Sequence, residues 1–188
     1  MAVNSFMVSL GTPAPPFALP SLNGQTVASA DLAPGRPLLV MFLSNHCPYV
    51  RHIEKELGSL VAEYAERGVA AVAISSNNTA THPDDGPSGL TEQAHRAGFT
   101  FPYLLDDTQE VALAYRAACT PDFFLYDADR KLAYRGEFDE SRPRNSAPVT
   151  GQALRAALDL VLAGQPVPEP QIPSMGCGIK WKPGNEPF

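Results

Sequence analysis

PLLVMFLSNHCPYV, residues 37–50, joins a continuous apolar run to a cysteine and a proline. An apolar run without polar alternation is typical of a strand that is buried on both faces. Pro48 favours the first turn of a helix, because the N–H that proline lacks would have no partner there. Residues 48–67 repeat apolar side chains at helical spacing, and Gly68 ends the pattern. The stretch therefore predicts a buried strand that leads through Cys47 into a helix.

Strand and helix patterns alternate on both sides of this stretch. Asn23-Gly24 separates two short segments and is typical of a β-hairpin turn, because both residues tolerate positive φ. Asp107 and Glu110 have the spacing of a capping box. Other strands are predicted at 17–19, 25–27, 69–74, 103–105, 122–126 and 131–135, a polar loop at 75–89, and other helices at 90–97, from 107 to about 115, and from Thr150 to Gly164. This order predicts an α/β fold with a mixed central sheet flanked by helices, and with an N-terminal β-hairpin extension.

The length of 188 residues fits a single domain, with a core over about 11–163 and a tail over 164–188. The tail is rich in proline and has no periodicity. It nevertheless carries Ile179 and Trp181, the only tryptophan. Because these side chains offer apolar anchors, we expect the C-terminal tail to be ordered and to lie on the domain.

Composition and charge exclude several classes of protein. A hydrophobic share of 44% excludes a disordered chain. The formal net charge of −6 argues against a nucleic-acid partner, because binding to the phosphate backbone requires positive charge. No run approaches the roughly 18 apolar residues that a membrane-spanning helix needs. The first twenty residues contain no Lys or Arg and four prolines, a pattern unlike a signal peptide, so we expect a cytoplasmic location. We expect no organic cofactor, and no candidate ligands have an established zinc spacing.

The chain has three cysteines, and an odd number in a reducing compartment argues against a disulfide framework. Cys47 is predicted at a helix N-terminus, where unpaired amides and the helix dipole favour the reactive thiolate. His46 and Arg51 add positive potential. The alternative is a buried cysteine that fills space. The polar neighbours Asn45 and His46 favour the reactive interpretation.

A second signal is the sequence Cys119-Thr120-Pro121, directly before the predicted strand at 122–126. A proline in this position is confined to a sheet edge, a strand end or a special turn. The Thr-Pro bond could be cis, as at other tight functional turns.

Together these residues resemble the thioredoxin superfamily, and most closely its peroxiredoxin-related branch, the alkyl-hydroperoxide-reductase/thiol-specific-antioxidant group. The resemblance covers about residues 11–163 and rests on Gly11, Ala14-Pro15, Phe17, Leu19-Pro20, the strand-Cys47-Pro48-helix junction and Thr120-Pro121. The chain is also similar to a narrower group of thioredoxin-like proteins, through the sequences at 45–49 and 120–124 and the tail at 176–187. The resemblance implies a thioredoxin-like fold in which Pro121 is cis and lies beside Cys47.

The sequence departs from both well-known branches of this superfamily. Thioredoxins have a second cysteine where Val50 stands and a buried acid where Met41 stands. Peroxiredoxins have Thr or Ser at Ser44, which matches. They also have an arginine near the position of Pro121 and a proline at Val40, and neither is present.

We therefore expect a thiol-dependent oxidoreductase with Cys47 as the nucleophile. The missing arginine favours a thiol-disulfide oxidoreductase, whose partners are a protein or small-molecule disulfide and an external thiol reductant. A peroxiredoxin-like, antioxidant reductase of hydroperoxides remains an alternative, in which Arg142 or Arg144 could replace the missing arginine. A second alternative is a non-catalytic module that holds an extended peptide near Pro121 by strand addition.

A nucleophilic Cys47 needs a second thiol to resolve its oxidised form. Cys177 lies between two glycines, whose conformational freedom allows a close approach to another surface. We expect Cys177 to be the resolving cysteine, and Cys119 remains the alternative. The residues expected to contact the substrate are Ser44, His46, Pro48, Tyr49, Thr120 and Pro121.

Overall fold

The computed structural model describes residues 2–187. It contains ten strands, which are β1 (Ala2–Asn4), β2 (Ala18–Pro20), β3 (Thr26–Ala28), β4 (Leu38–Phe42), β5 (Ala70–Ser75), β6 (Tyr103–Leu105), β7 (Cys119–Thr120), β8 (Asp122–Tyr126), β9 (Leu132–Arg135) and β10 (Met175–Gly178). Its α-helices are α1 (Pro48–Glu66), α2 (Pro87–Ala97), α3 (Glu110–Tyr115) and α4 (Gln152–Leu162).

The central sheet has the order β6-β5-β4-β8-β9 and is mixed, as the sequence predicts. Strand β4 pairs in parallel with β5 and antiparallel with β8. All five residues of β4 are buried, because its alternating side chains enter two separate hydrophobic clusters. Leu39 and Met41 face the cluster that contains α1 and α4, whereas Val40 and Phe42 face the cluster on the other side of the sheet. The buried strand of the sequence prediction is thus the centre of the sheet.

Helix α1 begins at Pro48, as predicted, but the starts of the other three helices differ from the prediction. Helix α2 begins at Pro87 rather than at 90, because a proline is favoured in a first helical turn. The prediction that Asp107 starts α3 was wrong. The carboxylate of Asp106 instead accepts hydrogen bonds from the N–H groups of Val111 and Ala112, at 3.3 and 2.9 Å.

The prediction that Thr150 caps α4 was also wrong by one residue. The N-cap is Gly151, which has φ = +67° and no side chain that could form a capping hydrogen bond. Asp139 holds this turn, because its Oδ2 accepts hydrogen bonds from the N–H groups of Thr150 and Gly151, both at 2.7 Å. Thr150 Oγ1 still accepts a hydrogen bond from the N–H of Gln152, at 3.3 Å, so the Asp139 carboxylate adds to this local contact.

Two small sheets complete the described part of the chain. Strands β2 and β3 form the predicted hairpin around Asn23-Gly24. The other small sheet has the order β1-β10-β7, and the sequence did not predict it. In this sheet the C-terminal strand β10 lies antiparallel between the N-terminal strand and Cys119–Thr120. The tail is therefore ordered on the domain, and Ile179 is buried in the same cluster that Trp181 packs against.

Candidate functional site

Cys47 is the N-cap residue of α1 and follows the short loop that leaves β4. Its side chain is completely buried, at 0% exposure. The thiol Sγ donates a hydrogen bond to the carbonyl oxygen of Thr120, at 3.0 Å. The position at the helix terminus agrees with the sequence, but complete burial was not predicted, because the strand that covers the site comes from the far end of the chain.

The Thr120–Pro121 peptide bond is cis. It lies between β7 and β8, so the chain turns directly beside Cys47. Thr120 is buried and presents its backbone carbonyl to the thiol. The structure thus brings together the two sequence signals, the cysteine before α1 and the Thr-Pro pair before β8.

Cys177 lies on β10, directly opposite Thr120 in the antiparallel register. Because Thr120 accepts the hydrogen bond from Cys47, this pairing places both cysteines beside Thr120. Cys177 is half-buried. Burial, followed by hydrogen bonding and charge interaction with Cys47, raises the pKa of the Cys177 thiol to about 12. At neutral pH, Cys177 is therefore a thiol and not a thiolate.

Cys119 also lies close to this site, but it is completely buried. Burial, and then the nearby charge of Asp122, raises the pKa of its thiol well above the usual value. The Sγ atom has only a long contact, 3.5 Å, to the carbonyl oxygen of Pro121. These properties are those of a small apolar core residue.

A buried carboxylate, that of Asp85, holds the loop before Cys47. Five donors converge on it, from the Ser44 hydroxyl, the backbone N–H groups of Asn45 and His46, the His46 ring and the Asn77 amide. The shortest of these contacts, 2.5 Å, joins His46 Nδ1 to Asp85 Oδ2. Burial alone would raise the pKa of Asp85, but the hydrogen bonds from His46 and Asn77 outweigh it and lower the pKa. No local pattern in the sequence indicates this role, because Asp85 lies in the polar loop that precedes α2.

His46 is one of the predicted site residues, and its ring is held from two sides. Asp85 accepts the hydrogen of Nδ1, and the ring of His82 lies against it with centroids 4.6 Å apart. Burial, and then the charges of His46 and Lys180, lower the pKa of His82. Ser44, another predicted site residue, is completely buried and donates to the same carboxylate. Both residues therefore position the loop before Cys47.

The other predicted site residues line the outer side of the cysteine. Pro48 is exposed, and Tyr49 is half-buried. Tyr49 and Pro121 line a small cleft, of about 20 Å³, together with Arg142. The guanidinium of Arg142 forms an ion pair with Glu137 and also donates to two backbone carbonyls of its own loop. Arg142 is therefore already neutralised by a protein carboxylate, and Arg144 is exposed.

Asp122 is a second buried carboxyl group that the sequence analysis did not select. It follows Pro121 and is completely buried. Its Oδ2 accepts a hydrogen bond from the N–H of Ala118, at 3.1 Å, while Oδ1 has no hydrogen-bond partner within residues 2–187. Burial raises the pKa of Asp122 to about 7, against the lowering effect of the backbone N–H groups around it.

The described residues show neither a metal site nor a membrane-spanning helix. Among them, no group of three or more His, Cys, Asp or Glu side chains is arranged to hold a metal ion. None of the helices in this part of the chain has the length and apolar character needed to cross a membrane.

Comparisons with known proteins place this geometry in context. Residues 10–135 match the AhpC/TSA family. The chain is 26% identical over 125 residues to thiol-disulfide oxidoreductase ResA of Geobacillus thermodenitrificans, an alignment that covers 66% of this chain and 67% of the relative.

Two solved structures are similar over most of the chain. An uncharacterized conserved protein from Geobacillus kaustophilus is 51% identical, covers 98% of both chains and has a TM-score of 0.95. A thiol:disulfide interchange protein of the thioredoxin family from Chlorobium tepidum is 19% identical, with 82% of this chain and 98% of that chain covered and a TM-score of 0.62. The second likeness concerns the fold alone. The thioredoxin-like fold expected from the sequence is confirmed.

Proposed function

This chain belongs to the AhpC/TSA family, and from that premise we propose that it exchanges thiols and disulfides through Cys47 and Cys177. It is a thiol-dependent oxidoreductase. The curated relative that it resembles is named a thiol-disulfide oxidoreductase, which supports a disulfide as the substrate. The second cysteine that thioredoxins have three residues after the first is replaced here by Val50, so the second thiol has to come from elsewhere in the fold.

The observation that carries this proposal is the register of β10 on β7. Cys177 pairs with Thr120, and Thr120 accepts the hydrogen bond from the Cys47 thiol. The influence of Cys47 on the pKa of Cys177 is further support that the two sulfurs are neighbours. Cys119 is a poorer partner, because its thiol is completely buried and its pKa is raised further.

The two cysteines have different roles in this reaction. Cys47 reacts as the thiolate, which attacks one sulfur of a substrate disulfide and releases the first substrate thiol. Cys177 then attacks Cys47 Sγ while its proton passes to the departing substrate sulfur, which leaves as the second substrate thiol, and a Cys47–Cys177 disulfide forms. Two electrons pass from the couple to the substrate, and an external thiol returns them. The high pKa of Cys177 suits the second role, because a thiol does not compete for the first attack.

A peroxide substrate has less support. Peroxide reduction benefits from a cationic donor beside the sulfur, whereas the polar contact of Cys47 Sγ is a carbonyl oxygen. The nearby Arg142 is paired with Glu137. We therefore favour disulfide exchange.

The test uses three single variants, Cys47→Ser, Cys177→Ser and Cys119→Ser, with hydroxyethyl disulfide or hydrogen peroxide as the oxidant. We expect Cys47→Ser to abolish turnover and Cys177→Ser to accumulate a mixed disulfide on Cys47. The matched control, Cys119→Ser, should keep most of the activity. Peptide mapping without reductant, after one equivalent of diamide, should recover a Cys47–Cys177 linked peptide.

Three results would contradict the proposal. A Cys47–Cys119 link would transfer the second role to Cys119. Adducts on Cys47 alone, with full activity in Cys177→Ser, would indicate a single-cysteine mechanism. Turnover of hydrogen peroxide without turnover of the disulfide would make the protein a peroxide reductase.

A further inference from the structure

Strand β10 occupies the edge of β7 at the point where Cys47 would meet an extended substrate. It pairs with Cys119 and Thr120 along one side, and β1 pairs with its other side. Under this cover, Cys47 is completely buried. An extended chain that approaches Cys47 by adding to the same edge therefore competes directly with β10.

The contact between β10 and β7 is too close for any side chain at position 176. A Cβ atom on Gly176 would lie 1.9 Å from the carbonyl oxygen of Thr120 and 2.5 Å from its carbonyl carbon. Both are backbone atoms beside the cis bond and cannot move away as a flexible side chain would. At Gly178, in contrast, a Cβ would meet the Val3 side chain at 3.6 Å and the carbonyl oxygen of Ala118 at 4.0 Å, which are ordinary contact distances. The edge thus requires glycine at one position of β10 and not at the other.

We propose that β10 is an intramolecular occupant of a strand-docking edge, and that this edge accepts an extended polypeptide in which glycine directly precedes cysteine. Cys47 then becomes accessible to an external chain only when β10 leaves. The proposal rests on the proposed function only in the assignment of Cys47 as the reacting thiol.

Contacts on both sides of β10 keep the closed arrangement in place. On one side, the Ser174 hydroxyl donates a hydrogen bond to the carbonyl of Gly136, at 2.7 Å. The backbone carbonyl of Ser174 accepts a hydrogen bond from the N–H of Ser5, at 2.9 Å. On the other side, the N–H of Lys180 donates to Asn77 Oδ1, at 2.8 Å. These anchors lie outside residues 175–178, so loss of the pairing between β10 and β7 does not by itself release the tail from the domain.

Departure and return of β10 match the two steps of disulfide exchange. With β10 away, the Cys47 thiolate attacks a substrate disulfide and releases one substrate thiol. When β10 returns, Cys177 attacks Cys47 Sγ and passes its proton to the departing substrate sulfur, the second substrate thiol leaves, and the new disulfide ties β10 to the edge. Reduction of that disulfide by an external thiol frees the strand again.

The experiment measures how fast a bulky maleimide alkylates Cys47 in a chain that carries Cys119→Ser and Cys177→Ser. We expect Gly176→Ala in this background to increase the rate at least tenfold, because β10 can no longer pair with β7. The matched control, Gly178→Ala, should stay within twofold. Amide hydrogen exchange at 175–178 should accelerate in Gly176→Ala alone. An unchanged rate in Gly176→Ala would overturn the proposal.

A synthetic peptide tests the chemistry of the docking edge. A peptide with the sequence of residues 172–182, with serine in place of the cysteine, should slow the alkylation of Cys47 again in Gly176→Ala. The same peptide with alanine in place of the glycine that corresponds to Gly176 should not. Equal protection by both peptides, or by neither, would refute the requirement for glycine.

Labelling in urea provides a measurement that needs no glycine substitution. If β10 opens locally, the alkylation rate of Cys47 below the unfolding transition should depend only weakly on urea, because little surface is exposed. A dependence as steep as that of global unfolding would mean that Cys47 is reached only by unfolding, and the proposal would fail. None of these readouts requires redox turnover. The strand-docking proposal and the Cys47–Cys177 couple can therefore fail separately.

Discussion

Asp85 and Asp122 are both buried carboxyl groups near Cys47, and their surroundings shift their pKa values in opposite directions. Asp85 receives five hydrogen-bond donors, and its pKa is lowered despite burial. Asp122 has one oxygen without a partner in the described chain, and burial raises its pKa to about 7. For these two buried carboxyl groups, the hydrogen-bond donors around each one therefore determine the direction of its pKa shift.

We predict that Asp122→Asn changes the pH dependence of stability between about pH 4 and pH 7. In this range the folded chain holds a proton on Asp122 that the unfolded chain has lost, so the free energy of unfolding of the wild type falls as the pH rises. Relative to Asp122→Asn, the wild type should lose about 2–4 kcal/mol over this range. Urea unfolding at several pH values measures the difference.

Asp129→Asn serves as the control for this prediction, because Asp129 is exposed on a turn. Its stability should follow the wild type at every pH. Parallel curves for the wild type and Asp122→Asn would mean that Asp122 is ionised throughout the range, and the prediction would be wrong.

Helix α2 supports the loop that presents Cys47. Gly89, in the first turn of this helix, lies so close to the site loop that a Cβ would come within 2.2 Å of the carbonyl oxygen of Asp84 and 3.1 Å of Asn45 Nδ2. Asn45 Nδ2 itself donates to that carbonyl, at 3.0 Å. The position of α2 and the conformation of the loop before α1 therefore depend on each other.

We predict that Gly89→Ala destabilises the protein by about 1–3 kcal/mol, because the added methyl group displaces backbone that is already in contact. Helix propensity alone predicts the opposite, a gain of about 1 kcal/mol. The neighbouring and exposed Ser88→Ala should change the free energy of unfolding by less than about 0.5 kcal/mol. Chemical denaturation distinguishes the two expectations, and a more stable Gly89→Ala would contradict the packing argument.

Strands from the first and the last part of the described chain meet at the site. Strand β1 near the N-terminus and β10 near the C-terminus form one small sheet with β7. A disulfide between Cys47 and Cys177 would enclose most of the chain in a single loop. Closure of a long loop restricts the unfolded ensemble, which stabilises the folded state.

We predict that oxidation with one equivalent of diamide raises the free energy of unfolding by about 3–5 kcal/mol. The difference between the oxidised and reduced chains should persist in Cys119→Ser and disappear in Cys177→Ser. Urea unfolding with and without reductant provides the measurement. Equal stability of the oxidised and reduced wild type, despite a mapped Cys47–Cys177 link, would show that the link strains the folded state.

Local patterns in the sequence were enough to predict the central part of this structure. The apolar run of β4, Pro48 and the helical spacing of α1 act over a few residues each, so they placed Cys47 at a helix terminus without knowledge of the rest of the fold. The Thr120–Pro121 pair before β8 was identified in the same way. The thioredoxin-like resemblance then related the two segments, and it did so because both motifs are short and continuous.

The tertiary structure alone decided what surrounds that cysteine. Asp85 and Asp122 are ordinary acidic residues in the sequence, and only their burial and their hydrogen-bond donors distinguish them. The pairing of Cys177 with Thr120, and with it the burial of Cys47, depends on a register between strands far apart in the chain. Local patterns carry no information about such a register, because it is set by the close contact of Gly176 with the Thr120 carbonyl and by the anchors on either side of β10.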